Sequence, residues 1–171
     1  MSLVLQSSGG GQITIQEPAT ASNFTQTLPA ASGEVMVSGN MPAFSAYSSA
    51  AQSISSVTNT KVTFDVEEFD TNNNFASSRF TPTVAGYYQV QGSVRAGSSA
   101  TGMRTMIWKN GGQYKLGTDA VSMTNGLVST ILFLNGSTDY VELYILFGTG
   151  QNTSGGGTSE VWFNGAMVRG A

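Results

Sequence analysis

The acidic side chains of residues 65–70 are the group in this sequence whose types and spacing could do chemistry. Asp65, Glu67, Glu68 and Asp70 place four carboxylates close together. Carboxylate oxygens bind Ca²⁺, and two positioned carboxyls hydrolyse glycosidic bonds when one has a raised pKa. The spacing is not that of an EF-hand loop. No two of these carboxylates stand out as the catalytic pair of a glycosidase. We therefore interpret the cluster as the solvated face and turn of one strand, and predict no metal site and no catalytic residue.

Other reactive arrangements are missing or incomplete. The chain has no histidine and no cysteine, which removes Ser-His triads, thiol nucleophiles and the usual zinc ligands. Gly148-Thr149-Gly150 is not followed by the Lys-Ser/Thr of a phosphate loop. Trp108, Tyr114 and Trp162 could stack on sugar rings if exposed, although such aromatics more often lie in a core or interface. We predict a protein that is not an enzyme and needs no cofactor.

Charge and hydropathy exclude two classes of partner. Charged residues make up 10% of the chain, the net charge is −3, and the seven Lys and Arg residues are scattered. Nucleic-acid binding requires several cations on one face, so we expect no nucleic-acid partner. No segment has the ~20 apolar residues of a membrane helix, and residues 1–11 do not have the pattern of a signal peptide. We expect no membrane insertion.

Residues 1–40 differ in pattern from residues 41–171. Short apolar alternations are separated by Ser, Gly and Pro, with too little apolar surface to fold alone. We predict an extended N-terminal arm over residues 1–40 that docks onto or interlaces with another chain. The alternative is that these residues form a flexible leader. The candidate docking residues are Ile13, Ile15, Phe24, Leu28, Val35 and Val37.

Residues 41–171 have the pattern of an all-β domain. Apolar residues alternate with polar ones around Val62–Val66 and Tyr88–Val94, which is typical of strands with one buried face. Asn110-Gly111 and Asn135-Gly136 are candidates for two-residue hairpin turns, because Asn and Gly tolerate positive φ. Many short strands without helical periodicity predict a sandwich, jelly-roll or barrel.

The late strands are apolar on both faces. Leu127–Leu134 and Tyr140–Phe147 have apolar residues at odd and even positions. A strand of this kind must be covered on both sides, and a sandwich has only one interior. We therefore predict that another copy of the chain covers the outer side, while burial inside one protomer stays open as the alternative. The candidate interface residues are Leu132, Leu134, Tyr140, Tyr144, Leu146 and Trp162.

Six short motifs occur in a recognisable order between residues 42 and 168. They are Pro42-Ala43-Phe44-Ser45-Ala46, Val62-Thr63-Phe64-Asp65, Phe80-Thr81-Pro82 with Gly86-Tyr87-Tyr88, Lys109-Asn110-Gly111, Leu132–Gly136 with Asp139-Tyr140-Val141, and Phe163-Asn164-Gly165. This ordered set resembles the globular head of the complement C-one-q/TNF family. Two extra residues separate Gly136 from Asp139, and Val90 stands where the family has Phe. The resemblance implies a ten-stranded jelly-roll β-sandwich that forms a compact homotrimer.

A second resemblance lies in the arm. The segment from Ile13 to Thr25, continuing to Leu28-Pro29-Ala30-Ala31, is similar to a segment of virion and tail-fibre proteins of tailed bacteriophages. Together the two resemblances imply a phage virion structural protein. It would decorate the capsid or form the tip of a head fibre or tail fibre. It would be made in the host cytoplasm and displayed on the virion surface.

The partners implied are other copies of the chain, capsid, portal-vertex or tail components, and a host-surface glycan if the knob acts in adhesion. Two alternatives remain from the sequence. One is a secreted C-one-q-like recognition module, and the other is a polysaccharide-active enzyme.

Overall fold

The computed structural model describes residues 2–16, 19, 25, 27, 30 and 35–171 of the chain. The chain divides into two compact units, residues 1–33 and 34–171. Each unit is described by itself below.

The first unit contains a β-hairpin. Strands β1 (Ser2–Gln6) and β2 (Gln12–Gln16) pair antiparallel. The intervening turn is closed by a hydrogen bond from the Ser7 amide to the Gly11 carbonyl at 2.8 Å. Gly10 has a φ of 85°, a conformation that glycine adopts without steric cost. The glycine-rich stretch at residues 7–11 therefore forms the turn of this hairpin.

The second unit is built almost entirely of strands. Single 3-10 turns, Ser38–Asn40 and Gly157–Ser159, are the helical elements among the described residues. The strands are β3 (Ala43–Tyr47), β4 (Ser53–Ile54), β5 (Thr60–Lys61), β6 (Val66–Asp70), β7 (Phe75–Ala76), β8 (Arg79–Phe80), β9 (Ala85–Lys109), β10 (Gly112–Asn135), β11 (Val141–Phe147), β12 (Gln151–Asn152) and β13 (Trp162–Gly170). In the described part of the chain, no helix is long and apolar enough to cross a membrane.

Two long strands, β9 and β10, each contribute to both layers of a sandwich. The first half of β9 pairs with β13, which pairs with β3, which pairs with β6. The second half of β9 pairs with β11, which pairs with β5. Strand β10 follows β9 through both halves. We call the layer containing β6, β3, β13 and residues 85–95 the first sheet, and the layer containing β5, β11 and residues 103–109 the second sheet.

The long hairpin bends where it passes from one sheet to the other. Ala100 pairs with Met123 and Arg95 pairs with Asn125, so residues 96–99 of β9 lie opposite Thr124 alone. Extra residues on one strand bend the pair and increase its twist. Gly102, with a φ of 67°, follows the bulge. This irregularity allows one hairpin to contribute strands to two facing layers.

The hydrophobic core lies between the two sheets. Phe44 stacks on Phe80 and Phe75 at centroid distances of 4.3 and 4.9 Å, and meets Phe163 edge-on at 5.0 Å. A methyl group added to Gly92 of the first sheet would lie 2.8 Å from the Leu143 side chain of the second. The layers therefore pack closely at this glycine. The predicted all-β jelly-roll sandwich is confirmed.

One predicted turn is confirmed and the other is wrong. Asn110 and Gly111 have φ values of 52° and 79° and join β9 to β10. Asn135-Gly136 does not join a hairpin, because β11 pairs with the second half of β9 and not with β10. The Asn135 side-chain oxygen instead accepts hydrogen bonds from the amides of Ser137, Thr138 and Asp139. The two extra residues noted in the sequence belong to this connection between sheets.

Candidate functional site

The six residues predicted as a trimer interface lie in three different places. Leu132 and Leu134 are 2% and 0% exposed and belong to the core of their own protomer. Their side chains cannot reach another chain, so their assignment to an interface is corrected. Tyr140, Tyr144 and Leu146 lie in or beside β11 of the second sheet, and Trp162 begins β13 of the first sheet.

The neighbours of Leu132 and Leu134 on the same strand face outward. Leu127, Ile131 and Phe133 are all exposed, with Ile131 58% exposed. Tyr87 is also exposed and meets Phe133 edge-on at 5.6 Å between ring centroids. These residues were missed because Leu127–Leu134 is apolar at odd and even positions, so the sequence does not show which set faces inward.

Strand register places these residues in rows across the first sheet. Ala166, Gln89 and Ile131 are direct partners in one row. Asn164, Gln91 and Ser129 form the next, and Trp162, Ser93 and Leu127 the one after it. Directly opposite residues point to the same face of a sheet. All nine side chains are uncharged. We call the outer surface formed by these three rows the neutral face. Tyr87 and Phe133 lie in the adjoining row, where Arg169 is the partner of Tyr87 on β13.

A shallow groove lies within the neutral face. Its volume is about 240 Å³, and its lining residues are Gln91, Gly117, Leu127, Val128, Ser129 and Trp162. Trp162 on β13 and Leu127 on β10 flank the strand between them. The groove is open and mainly apolar, which suits an inserted side chain better than a polar small molecule.

In the described part of the chain, no strand pairs with the outer edge of β10, although the Thr118 hydroxyl bonds to the main chain of Leu127 there. Strand β10 pairs with β9 and with no other strand. Unpaired strand edges that also expose apolar side chains are rarely left in water. The exposed apolar residues along β10 are Tyr114, Leu116, Val121, Met123, Leu127, Ile131 and Phe133.

The outer side of the second sheet contains a buried charge. The Glu142 side chain is only 3% exposed, and its Oε1 accepts hydrogen bonds from Lys61 Nζ at 3.2 Å and Arg79 Nε at 2.9 Å. Arg79 also lies 3.8 Å above the centre of the Tyr140 ring. Beside Glu142, Trp108 and Tyr144 stack at 4.0 Å. Burial, followed by the negative charge of Glu142, raises the pKa of the Tyr144 hydroxyl.

Tyr140 and Tyr144 are therefore held within their own protomer. Their predicted role at a trimer interface stays a prediction, and the contacts that the structure shows for them are with Arg79 and Trp108.

Three of the acidic residues in 65–70, namely Asp65, Glu68 and Asp70, accept local hydrogen bonds. Asp65 accepts from the Ser49 amide and hydroxyl, and these bonds lower the pKa of Asp65. Glu68 accepts from the Ser45 hydroxyl at 2.7 Å, and Asp70 from the Phe75 amide at 2.6 Å. Among the described residues, no three acidic side chains converge as metal ligands.

The candidate docking residues are divided between the two units. Ile13 and Ile15 lie on β2 of the hairpin and are exposed. Val35 and Val37 are exposed in the second unit, where Met36 between them packs against the core. Phe24 and Leu28 lie outside the described residues.

The carboxyl group of Asp139 fixes the connection between β10 and β11. It accepts hydrogen bonds from Lys109 Nζ at 2.9 Å, from Asn110 Nδ2 at 2.7 Å and from the Asn135 amide at 3.1 Å. These donors, the Lys109 ammonium first, hold the pKa of Asp139 below its ordinary value.

We expect Asp139→Asn to lower the free energy of unfolding by about 1 kcal/mol at neutral pH, because charge-assisted hydrogen bonds are lost. Since folding lowers the pKa, the contribution of Asp139 is complete above the unfolded pKa of 3.8 and is lost as the pH falls through the folded value. Urea unfolding from neutral pH to about pH 3 should therefore show that the unfolding free energies of the wild type and Asp139→Asn converge in acid. Asp119→Asn, at an exposed pair with Arg104, is the control with little effect. If the difference in unfolding free energy between the wild type and Asp139→Asn does not change with pH, the role assigned to the Asp139 carboxylate is wrong.

Comparison with known proteins identifies the fold. No family model and no curated protein matches the chain. The globular domain of zebrafish complement 1qA protein is 18% identical, with a TM-score of 0.55 over 76% of this chain and 98% of that one. Murine APRIL is 9% identical, with a TM-score of 0.60 over 75% and 99%. The PRD1 phage vertex protein P5 is 10% identical, with a TM-score of 0.53 over 76% and 97%. The chain therefore has a C-one-q/TNF-like jelly-roll fold.

Proposed function

We propose that this chain is a non-enzymatic structural protein of a phage virion. It forms a homotrimeric knob that is displayed on the particle surface and anchored by its N-terminal arm. The observation that supports this most directly is the neutral face of the first sheet beside the unpaired edge of β10.

The neutral face is suited to contact with a protein. Its three rows contain no charged side chain, Leu127 and Ile131 within them are exposed to water, and exposed Tyr87 and Phe133 lie in the adjoining row. Interface cores are depleted in charge and enriched in aromatic residues. A contiguous apolar surface of this kind on a soluble protein marks an interaction site.

A second copy of the chain is a partner that would also cover the exposed edge of β10. The edge of β10 exposes Val121 and Met123, and the neutral face has an apolar groove beside Trp162. If the edge of one protomer packs against the neutral face of the next, both surfaces are removed from water. Such a contact joins two different patches, and it closes into a ring when the rotation between copies allows it. Closure after three copies is what the C-one-q/TNF resemblance implies.

The location on a virion is supported by two independent likenesses. The segment from Ile13 to Ala31 resembles virion and tail-fibre proteins, and the body has the fold found in the PRD1 vertex protein P5. The arm would supply the attachment. The main-chain groups at the edges of β1 and β2 can add to a sheet of a particle protein.

Removal of residues 1–33 tests the proposal. We expect the shortened protein to fold and remain a trimer, because the second unit and the packed Met36 are retained, but to be absent from purified particles. Light scattering gives the mass, and immunoblotting of particles from complemented infections gives the incorporation. The full chain expressed in the same way is the control. Shortened protein recovered on particles at the level of the full chain would contradict anchoring by the arm.

A further inference from the structure

The hairpin of the first unit has one apolar and one polar face. Leu3 pairs with Ile15 and Leu5 pairs with Ile13. Partners directly opposite on antiparallel strands point to the same side, so these four aliphatic side chains share a face. The other face includes Val4 with Thr14, Gln6 with Gln12, and Gln16. We call the set Leu3, Leu5, Ile13 and Ile15 the aliphatic face.

Among the described residues of the unit, none covers the aliphatic face. All four side chains are more than half exposed. Two strands without further cover are at best marginally stable in water. Near the turn, Leu5 and Ile13 border a shallow groove of about 390 Å³, which the turn residues and Gln6 and Gln12 also line.

We infer that the aliphatic face is covered by the same face of the hairpins of the other two subunits, so that three chains form one stem around a common axis. This inference rests on the homotrimer proposed above. It assigns Ile13 and Ile15 to contacts between copies and leaves the polar face and the strand edges of each hairpin free to meet the particle.

The composition of the hairpin favours copies of itself as the occupant. Residues 2–16 contain no charged side chain, so nothing in the face selects a partner of opposite charge and nothing repels an identical face. The polar face, with three glutamines, stays in water when three aliphatic faces meet. Leu and Ile side chains from three faces would provide a closed apolar core.

The covalent connection to the trimeric body also favours the other copies. Residues 17–34 separate the hairpin from the second unit. Even fully extended, these residues span at most about 65 Å. Three hairpins confined to that radius have an effective concentration on the order of millimolar. The other two copies are thus present as soon as the body assembles, before any particle is met.

Single cysteines in the full-length chain test the stem, because the natural sequence has none. Leu5→Cys places a thiol on the aliphatic face, and Val4→Cys places an equally exposed thiol on the polar face of the same strand. After mild oxidation, non-reducing gels should show disulfide-linked dimers at least about 10-fold faster for Leu5→Cys than for Val4→Cys. Ile13→Cys and Thr14→Cys repeat the comparison on β2, in case one substitution disturbs the hairpin.

The mass of each variant, measured by light scattering before oxidation, separates the two hypotheses. Trimeric variants that link equally fast from both faces, or from neither, would overturn the stem and leave the trimeric knob intact. A monomeric wild-type chain would overturn the knob and the stem together.

Discussion

Ile131→Asp is expected to convert the trimer into folded monomers. Ile131 lies on the neutral face and is already exposed in a single protomer, so the aspartate is solvated in the monomer and the sandwich keeps its stability. In the assembled trimer the same carboxylate would be buried without a partner in each of three contacts. An unpaired buried charge costs several kcal/mol, so we expect the trimer to weaken by at least about 100-fold. Light scattering across a dilution series measures the change.

Val57→Asp is the matched control for this experiment. Val57 is 70% exposed and lies in the loop between β4 and β5, outside both sheets. Its φ of 52° is unfavourable for a β-branched residue, and aspartate tolerates this region better. The control should remain trimeric and lose no stability. If Ile131→Asp stays trimeric at the dilution where the wild type is trimeric, the neutral face is not the contact surface.

Lys61→Ala combined with Arg79→Ala is expected to destabilise the fold by about 3–5 kcal/mol. The two cations are the charged partners of Glu142, and both contact its Oε1. Their own side chains are partly exposed, at 31% and 42%, whereas Glu142 is 3% exposed. The main penalty therefore comes from the carboxylate that is left buried without an opposite charge. Urea unfolding followed by tryptophan fluorescence reports the loss, since Trp108 lies opposite Glu142 in the sheet.

Adding Glu142→Leu to the same two substitutions gives the control. Replacing a whole buried ion network by apolar groups is often close to neutral, because no charge remains to be desolvated. The triple variant should therefore recover most of the lost stability. If the double and triple variants are equally unstable, the cost arises from lost packing of Lys61 and Arg79 and not from the unpaired Glu142 carboxylate.

Several features of the fold could be predicted from local pattern. The alternation around Tyr88–Val94 predicts one buried face, and Tyr88 and Val90 are fully buried. Asn110-Gly111 predicts the turn of the β9–β10 hairpin, because both residues tolerate positive φ. The prediction of a hairpin turn at Asn135-Gly136 is wrong, because the same dipeptide can also lie in a connection between sheets. The pairing partner of the next strand, which is β9, is distant in sequence.

The surface of the first sheet could be predicted only in part. Leu127–Leu134 has three apolar residues in each phase, interrupted by Ser129-Thr130, so the sequence predicts that both faces are covered. The register with β9 determines which of the two alternating sets of side chains faces inward. Leu132 lies opposite Tyr88, whose hydroxyl donates to the Val84 carbonyl at 2.7 Å from within the core. Once Tyr88 points inward, Leu132 and Leu134 must follow, and Ile131 and Phe133 face out.

The amino-acid sequence by itself determined the class of fold and the position of its main turn, because these depend on local conformational preference and on the period of apolar residues. Only the tertiary structure decided which side of β10 faces outward and that Glu142 is enclosed by Lys61 and Arg79. Both depend on the register between strands that are far apart in the chain, and a one-residue shift in register reverses every side chain.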